Sequence, residues 1–149
     1  MGDVIVVHFA RTDDDAKIPI KGSENAAGWD LCALEDSLVP FRKSMKIRTG
    51  LHVAIPEGFE GQVRARSSLG KKGLILPHSI GTIDADYRGE LFVLMTWIGE
   101  GDSYTVKAGE RIAQLLISPI PMVTFEEVGF EELGETARGS GGFGSTGRF

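Results

Sequence analysis

Residues 138–147, Arg-Gly-Ser-Gly-Gly-Phe-Gly-Ser-Thr-Gly, are the segment of this sequence best suited to hold a phosphate chain. Five of these ten residues are glycine, so the backbone can adopt positive φ angles and turn several N–H groups toward one anion. Arg138 adds a forked cation, and the serines and the threonine add hydroxyls. Phe143 is an aromatic ring that can stack on a flat base. The segment therefore predicts a lid over a nucleotide, with a disordered Gly/Ser tail as the alternative.

Two further polar clusters have the residue types needed to bind an anion or a water molecule. Asp30 stands between an aromatic and an apolar residue, which predicts a place at the edge of the core, although a turn aspartate explains it too. Arg66 precedes Ser67 and Ser68 at a predicted helix start, where unpaired N–H groups and the helix dipole attract anions. A serine-capped helix beside a surface arginine is an equally good interpretation.

Residues 81–90 place two carboxylates, Asp84 and Asp86, next to Tyr87 and between glycines. This composition predicts a tight hairpin that presents a carboxylate and a ring to a ligand. An Asp-rich turn followed by a surface Tyr-Arg pair is the alternative. Gln114 is a polar residue inside an otherwise apolar strand, so it needs hydrogen-bond partners.

Short runs rich in β-branched residues fill most of the chain and predict an all-β fold. Turn residues separate the runs at spacings of about 8–12 residues, which favours a sandwich or a barrel. One short helical turn is predicted through residues 69–73, with the serines at 67–68 as its cap. The predicted strands are residues 4–8, 46–55, 59–66, 90–97, 103–106, 111–117 and 123–128.

Composition and pattern exclude several classes of protein. The net charge of -5 argues against a broad surface for nucleic acid or anionic membranes. An all-β pattern excludes Rossmann and Walker phosphate loops, because each of them must open a helix. No apolar run approaches the roughly 20 residues of a membrane span. Without a signal-peptide pattern, and with Cys32 as the only cysteine, the chain is predicted to be cytoplasmic.

Taken in order, these motifs resemble those of the trimeric deoxyuridine triphosphatases (dUTP pyrophosphatases) over essentially the whole chain. The resemblance implies a jelly-roll-like β domain over residues 1–128, with one short helix, and a flexible arm over residues 129–149 that bears the last motif. It also implies a homotrimer whose active sites are shared between chains. The matching segments are Ala-Gly-Trp-Asp-Leu, Arg-Ser-Ser-Leu-Gly, Gly-Thr-Ile-Asp-Ala-Asp-Tyr-Arg-Gly, Arg-Ile-Ala-Gln and the glycine-rich tail.

The implied reaction is the Mg²⁺-dependent hydrolysis of dUTP to dUMP and pyrophosphate, which supplies dUMP for thymidylate synthesis and limits uracil incorporation into DNA. Asp84 would orient and deprotonate the water that attacks the α-phosphorus, a role that suits a carboxylate. Asp86 is assigned no part in catalysis. Asp30 would hold a water of the Mg²⁺ shell, since this ion accepts mostly phosphate and water oxygens.

The resemblance also implies which residues bind the substrate. Tyr87 would lie against the deoxyribose and leave no room for a 2′-hydroxyl. His78 would stand at the uracil where bacterial relatives often have asparagine, but its imidazole cannot copy an amide's donor and acceptor pair. The other implied contacts are Arg66, Ser67, Ser68 and Gln114 at the phosphates, Thr82, Ile83 and Phe92 at uracil, and Arg138, Phe143 and Gly144 in the closing tail.

Two rival functions belong to other classes. The dCTP deaminases share the fold and the Arg-Ser-Ser motif, but they lack the Phe-containing tail and would release ammonia from dCTP. A nucleotide-sensing trimer would bind dUTP and signal to a partner protein without needing catalysis. An Asp84→Asn substitution separates sensing from hydrolysis, because only hydrolysis depends on the carboxylate.

Overall fold

The computed structural model describes residues 2–149 and confirms the all-β prediction. Over that range it has eleven short strands, one α-helix and one 3₁₀ turn. The strands are β1 His8–Arg11, β2 Trp29–Cys32, β3 Ser37–Pro40, β4 Ser44–Arg48, β5 Leu51–Ala54, β6 Phe59–Ala65, β7 Leu74–Ile75, β8 Gly81–Ile83, β9 Phe92–Trp97, β10 Ser103–Val106 and β11 Arg111–Pro119. The helix α1 is Ser67–Lys72, and the 3₁₀ turn is Phe130–Leu133.

The strands pair antiparallel in four small sheets. The largest sheet has the order β2-β11-β6-β8, and a second has the order β4-β9-β7. Two-stranded sheets of β1 with β5 and of β10 with β3 complete the fold. Alternate residues of a strand point to opposite faces, and Ile47, Val93 and Met95 of the paired strands β4 and β9 are completely buried. The alternation of apolar and polar residues in the sequence thus corresponds to the buried and the exposed faces of these sheets.

Several predicted strands are confirmed close to their expected bounds. Strand β10 coincides with residues 103–106, and β6 and β11 match the predicted runs within two residues. The run 46–55 is divided between β4 and β5, because Gly50 has a φ of 70°. A Cβ atom on Gly50 would also lie 2.8 Å from the Cβ of Ala16, so the break requires glycine for two reasons.

Two predicted strands are wrong. Residues 123–128 form no strand, and the side chain of Phe125 is fully exposed, at 100%. Of residues 4–8 only His8 lies in a strand, since β1 runs on to Arg11. Alternation predicts a strand only where a neighbouring strand can take up the backbone N–H and C=O groups, and neither run has such a neighbour within residues 2–149.

Helix α1 confirms the predicted helical turn but not its predicted cap. The residue that caps it is Arg66, and no side chain there bonds to the free N–H groups. Ser67 and Ser68 lie inside the first turn, where they are exposed. Gly73 ends the helix with a φ of 112° and donates its N–H to the carbonyls of the preceding turn. No helix within residues 2–149 is long and apolar enough to cross a membrane.

Candidate functional site

A cleft of about 280 Å³, lined in part by a cluster of charged residues, lies beside the segment that joins β8 to β9. The predicted tight hairpin is wrong, because β8 pairs with β6 whereas β9 pairs with β4 and β7. Residues 84–91 are instead a loop between two sheets, and its turn is closed by the N–H of Tyr87 donating to the carbonyl of Asp84 at 3.1 Å. The residues that line the cleft are Lys46, Thr82, Ile83, Asp84, Tyr87, Glu90 and Phe92.

The loop of residues 84–91, called the cleft loop below, is hydrogen-bonded to residues 49–52, which follow β4 and include the start of β5. The buried hydroxyl of Thr49 donates to the carbonyl of Leu91 at 2.6 Å. The N–H of Leu91 donates to the carbonyl of Leu51 at 2.7 Å. Nδ1 of His52 lies 2.8 Å from the carbonyl of Arg88, which it reaches as an N–H donor. These contacts fix the loop that presents Asp84 and Tyr87.

A second polar cluster surrounds Asp30 on β2. Oδ1 of Asp30 lies 3.8 Å from Nε of Arg66, and Oδ2 lies 3.5 Å from Nη1 of Arg111. Arg66 also donates from Nη1 to the carbonyl of Arg111 at 2.9 Å. Burial, with Asp30 as a second cause, raises the pKa of the neighbouring Cys32 thiol and keeps it protonated. The cluster therefore combines a carboxylate with two arginines near the start of α1.

Gln114 belongs to this second cluster and has the partner that its position requires. It lies on β11 directly opposite Asp30 on β2. Its Nε2 donates to the carbonyl of Ala65 at 3.3 Å, so its amide is anchored to the end of β6. Arg66, Ser67 and Ser68 follow Ala65 directly in the chain.

The two clusters stand at opposite ends of strand β6. Gly61 pairs with Ile83 and Val63 pairs with Gly81, so the loop at Asp84 leaves the sheet near the beginning of β6. Arg66 follows the end of the same strand. At about 3.3 Å per residue, the two groups are separated by roughly 20 Å. One chain therefore does not bring Asp84 and Arg66 to the same ligand.

The glycine-rich tail is hydrogen-bonded to neither cluster. The hydrogen bonds of residues 138–149 all join neighbours within residues 136–149, among them Nε of Arg138 to the carbonyl of Gly141 at 2.7 Å. Phe143 is fully exposed, at 115%, and has a φ of 50°. Gly144 and Gly147 have the positive φ angles that the composition predicted.

His78 lies outside the set of residues that line the cleft. It is exposed, and its Nε2 would be 3.2 Å from a Cβ atom on Gly81, which places the ring against the start of β8. Three polar residues near the two clusters were missed from the sequence: Lys46 and Glu90 at the cleft, and Arg111 at Asp30. Arg111 and Glu90 had a usable signal, since Arg111 opens the Arg-Ile-Ala-Gln motif and Glu90 ends the segment 81–90. Lys46 reaches the cleft through strand pairing, and its Nζ lies 5.7 Å from the centre of the Phe92 ring.

A larger cavity of about 460 Å³ has an apolar lining. It offers no carboxylate or cation, so it is not a place for phosphate chemistry. Its lining residues are Val4, Ile5, Val6, Val7, Phe9, Pro19, Trp29, Val53, Leu115 and Ile117.

Residues 14–147 match the family model described as dUTPase. The chain is 45% identical over 146 residues to the deoxyuridine 5′-triphosphate nucleotidohydrolase of Zymomonas mobilis, which covers 96% of this chain and 98% of that relative. It is 42% identical over 143 residues to the protein of the same name from Wolinella succinogenes, covering 95% and 94% of the two chains.

The fold is similar to that of the dUTPase of Staphylococcus bacteriophage 80alpha in a structure with dUPNHPP. The TM-score is 0.87 at 28% sequence identity, and the match covers 96% of this chain and 99% of the phage chain. A mutant of the same phage protein, with dUpNHpp, matches with a TM-score of 0.86 at 27% identity.

Proposed function

Since this chain belongs to the dUTPase family, we propose that the cleft at Asp84 is where it hydrolyses dUTP to dUMP and pyrophosphate. The chain is a nucleotide hydrolase, and the jelly-roll-like β fold predicted for it is confirmed. One observation carries the assignment of the cleft. Four of its seven lining residues, including the carboxylate of Asp84 and the ring of Tyr87, belong to the third motif, and Phe92 is a fifth residue that the resemblance implies.

Asp84 acts as the base toward one water molecule. Its carboxylate is exposed at the end of β8, where it can accept a hydrogen bond from water and then the proton. The water oxygen attacks the α-phosphorus as the bond from that phosphorus to the bridging oxygen of the β-phosphate breaks. The products are dUMP and pyrophosphate. Because phosphoryl chemistry depends mainly on positioning and charge balance, one placed carboxylate is a sufficient base.

The cleft residues recognise the deoxyuridine. Backbone groups of Thr82 and Ile83 provide a donor for O4 and an acceptor for N3–H of uracil, a pair that mismatches cytosine. Phe92 packs beside the base, and the ring of Tyr87 takes the space that a 2′-hydroxyl would need. His78 lies outside the cleft lining, so recognition of the base depends on the backbone.

The second cluster and the tail bind the triphosphate. Arg66, the two serines of α1 and Gln114 contact phosphate oxygens, and Arg111 adds a cation beside them. The tail closes over the ligand, with Arg138 at the γ-phosphate, Phe143 on the base and the amide of Gly144 at the phosphates. Residues 129–149 would then be an arm that closes over the ligand but does not belong to the packed β domain.

Asp30 is suited to hold a water molecule of a Mg²⁺ shell. Its two ion-pair distances, 3.8 and 3.5 Å, exceed those of hydrogen bonds, so both oxygens retain capacity to accept from water. No three His, Cys, Asp or Glu side chains converge within residues 2–149, which suits an ion held mainly by phosphate and water oxygens. Bound Mg²⁺ would neutralise charge on the phosphates.

We propose a homotrimer with shared sites, and the distance between the two clusters supports the sharing of a site between copies. Asp84 of one chain and Arg66 of the same chain are too far apart for one nucleotide, so a second copy must supply one of them. The segment after β11 supports such an assembly, since it exposes large apolar side chains that a neighbouring copy would cover. They are Met122, Val123, Phe125, Phe130 and Leu133. A cytoplasmic location remains a prediction.

An assay of pyrophosphate release across four nucleotides tests the substrate. With Mg²⁺ present, dUTP is expected to react with a kcat/KM more than about a hundredfold above that of dCTP, dTTP or UTP, because each rival adds or mismatches a group inside a narrow cleft. The same assay without Mg²⁺ measures dependence on the ion. Ammonia release from dCTP would favour the deaminase alternative, and intact dUTP would contradict the proposal.

Mixing two inactive variants tests whether the site is shared. Asp84→Asn and Arg66→Met each disable one half of the site. Random mixed trimers at equal amounts should regain about one quarter of the wild-type activity, since one site in four then combines two intact halves. Wild type mixed with either variant serves as the control for subunit exchange. If the mixture stays inactive although mass spectrometry detects mixed trimers, both residues act within one chain.

A further inference from the structure

The ring of Tyr87 is held in place by the loop on which it stands. It folds back over Gly89, where a Cβ atom would lie 2.6 Å from Cζ of the ring. Its hydroxyl donates to the carbonyl of Glu90 at 2.8 Å. The ring is 40% exposed, so packing holds it only in part. Its position therefore depends on where the backbone of Glu90 stands.

The backbone of Glu90 is in turn held by an ion pair across to β4. Nε and Nη2 of Arg48 donate to the two carboxylate oxygens of Glu90 at 3.1 and 2.9 Å. The side chain of Glu90 is only 11% exposed, whereas the other carboxylate near Arg48, that of Glu35, is mostly in solvent at 4.0 Å. Hydrogen bonding to Glu90 raises the pKa of the Arg48 guanidinium. A two-pronged bond of this kind fixes orientation as well as distance.

Arg48 is well placed to control the wall of the cleft. It lies directly opposite Phe92 in the pairing of β4 with β9, and its guanidinium bonds to Glu90. Phe92 and Glu90 both line the cleft. Thr49, the next residue, holds the carbonyl of Leu91. The chain on each side of the Glu90 carbonyl is thus bonded to the last residue of β4 or to the residue that follows it, and that carbonyl is the acceptor for the Tyr87 hydroxyl.

We propose that the Arg48–Glu90 ion pair is a positioning device that holds the Tyr87 ring against the sugar and so sets the discrimination between dUTP and UTP. The inference depends on the proposed role of Tyr87 in the cleft. Arg48 acts through Glu90 and touches no substrate. Without the pair, the Glu90 backbone and the ring move apart from β4, and space opens for a 2′-hydroxyl.

Kinetics with both nucleotides test the inference. In Arg48→Met, the ratio of kcat/KM for dUTP to that for UTP should fall about tenfold, as expected for loss of a hydrogen bond between charged groups. Arg48→Lys should restore part of the ratio, because lysine keeps the charge but cannot donate from a rigid fork. Lys107→Met is the matched control, since it breaks the exposed Lys107–Asp36 pair at 3.4 Å and should leave the ratio unchanged.

Two further variants separate positioning from stability. Glu90→Gln should lower the ratio as well, and the double variant with Arg48→Met should lower it no more than the larger single effect, because both remove one interaction. Glu90→Gln also serves if Arg48→Met fails to fold. An equal loss of activity on both nucleotides, with the ratio kept, would indicate a structural role only and overturn the inference.

The Tyr87→Ala variant distinguishes the inference from the proposed function. It should admit UTP and lower the ratio at least as far as Arg48→Met does. If Tyr87→Ala lowers the ratio and Arg48→Met does not, the ion pair has no positioning role and the function of the cleft stands. If neither changes the ratio, the assignment of Tyr87 to the sugar is wrong, and the inference is overturned with it.

Discussion

Asp84→Asn is expected to lower kcat for dUTP hydrolysis by a factor on the order of 10²–10⁴, the range for removal of a general base. The amide has nearly the shape of the carboxylate, but it cannot accept the proton of the attacking water. Binding should survive, because base, sugar and phosphates are contacted by other residues. Steady-state pyrophosphate release would measure the loss, and calorimetry with the non-hydrolysable analogue dUpNHpp would measure the binding.

Asp86→Asn is the matched control for this experiment. Asp86 lies two residues further along the same loop, is exposed, and is absent from the cleft lining. The same chemical change at that position should leave kcat nearly unaltered. Near-normal turnover by Asp84→Asn would refute the assignment of the base. Tight binding without turnover in that variant would also separate catalysis from a sensing function.

Deletion of residues 138–149 should have the second large effect, a fall in kcat/KM of about a hundredfold or more, since the closing groups that orient the ligand are lost. The β domain should remain folded, because the hydrogen bonds of these residues all stay within residues 136–149. Thermal melting by circular dichroism and light scattering would show whether fold and assembly persist while the assay shows the loss.

Single substitutions measure how much individual tail side chains contribute to the effect of the deletion. Phe143→Ala removes the ring proposed to stack on the base, and Arg138→Met removes the cation proposed for the γ-phosphate; each should cost part of the activity. Phe149→Ala is the control, because Phe149 is equally exposed but lies beyond the motif. A shortened chain that keeps near-full turnover would identify the segment as a plain Gly/Ser tail.

Local sequence pattern was enough to predict β6, β10 and β11 but not the shortest strands. Burial largely alternates along β6 and β10, whereas β11 is a continuous apolar run interrupted by Gln114. Strands β7 and β8 have only two and three residues, and they exist because β9 and β6 offer them an edge. Residues 123–128 show the opposite case, since they alternate like a strand but have no neighbour within residues 2–149.

The sequence motifs predicted the residues that line the cleft better than they predicted the residues around it. Asp84 and Tyr87 belong to one contiguous motif, so their proximity was readable from the sequence. Lys46 reaches the cleft, and Arg48 reaches Glu90 in its lining, through the register of β4 against β9, which no local pattern encodes. The separation of Asp84 from Arg66 likewise required the register of β6 with β8. Pairing between distant segments is what single-sequence reasoning lacked.

If Asp84 and Arg66, at the two ends of β6, serve one site only in an assembly of copies, as proposed, the rate of nucleotide hydrolysis would depend on the concentration of the chain. A single copy, even when fully folded, would then contribute Asp84 to one site and Arg66 to another, and would contain no complete site. Dilution would therefore lower the activity per copy, because mass action favours dissociated copies as concentration falls. A cell that makes twice as much of this protein would gain more than twice the turnover wherever assembly is incomplete.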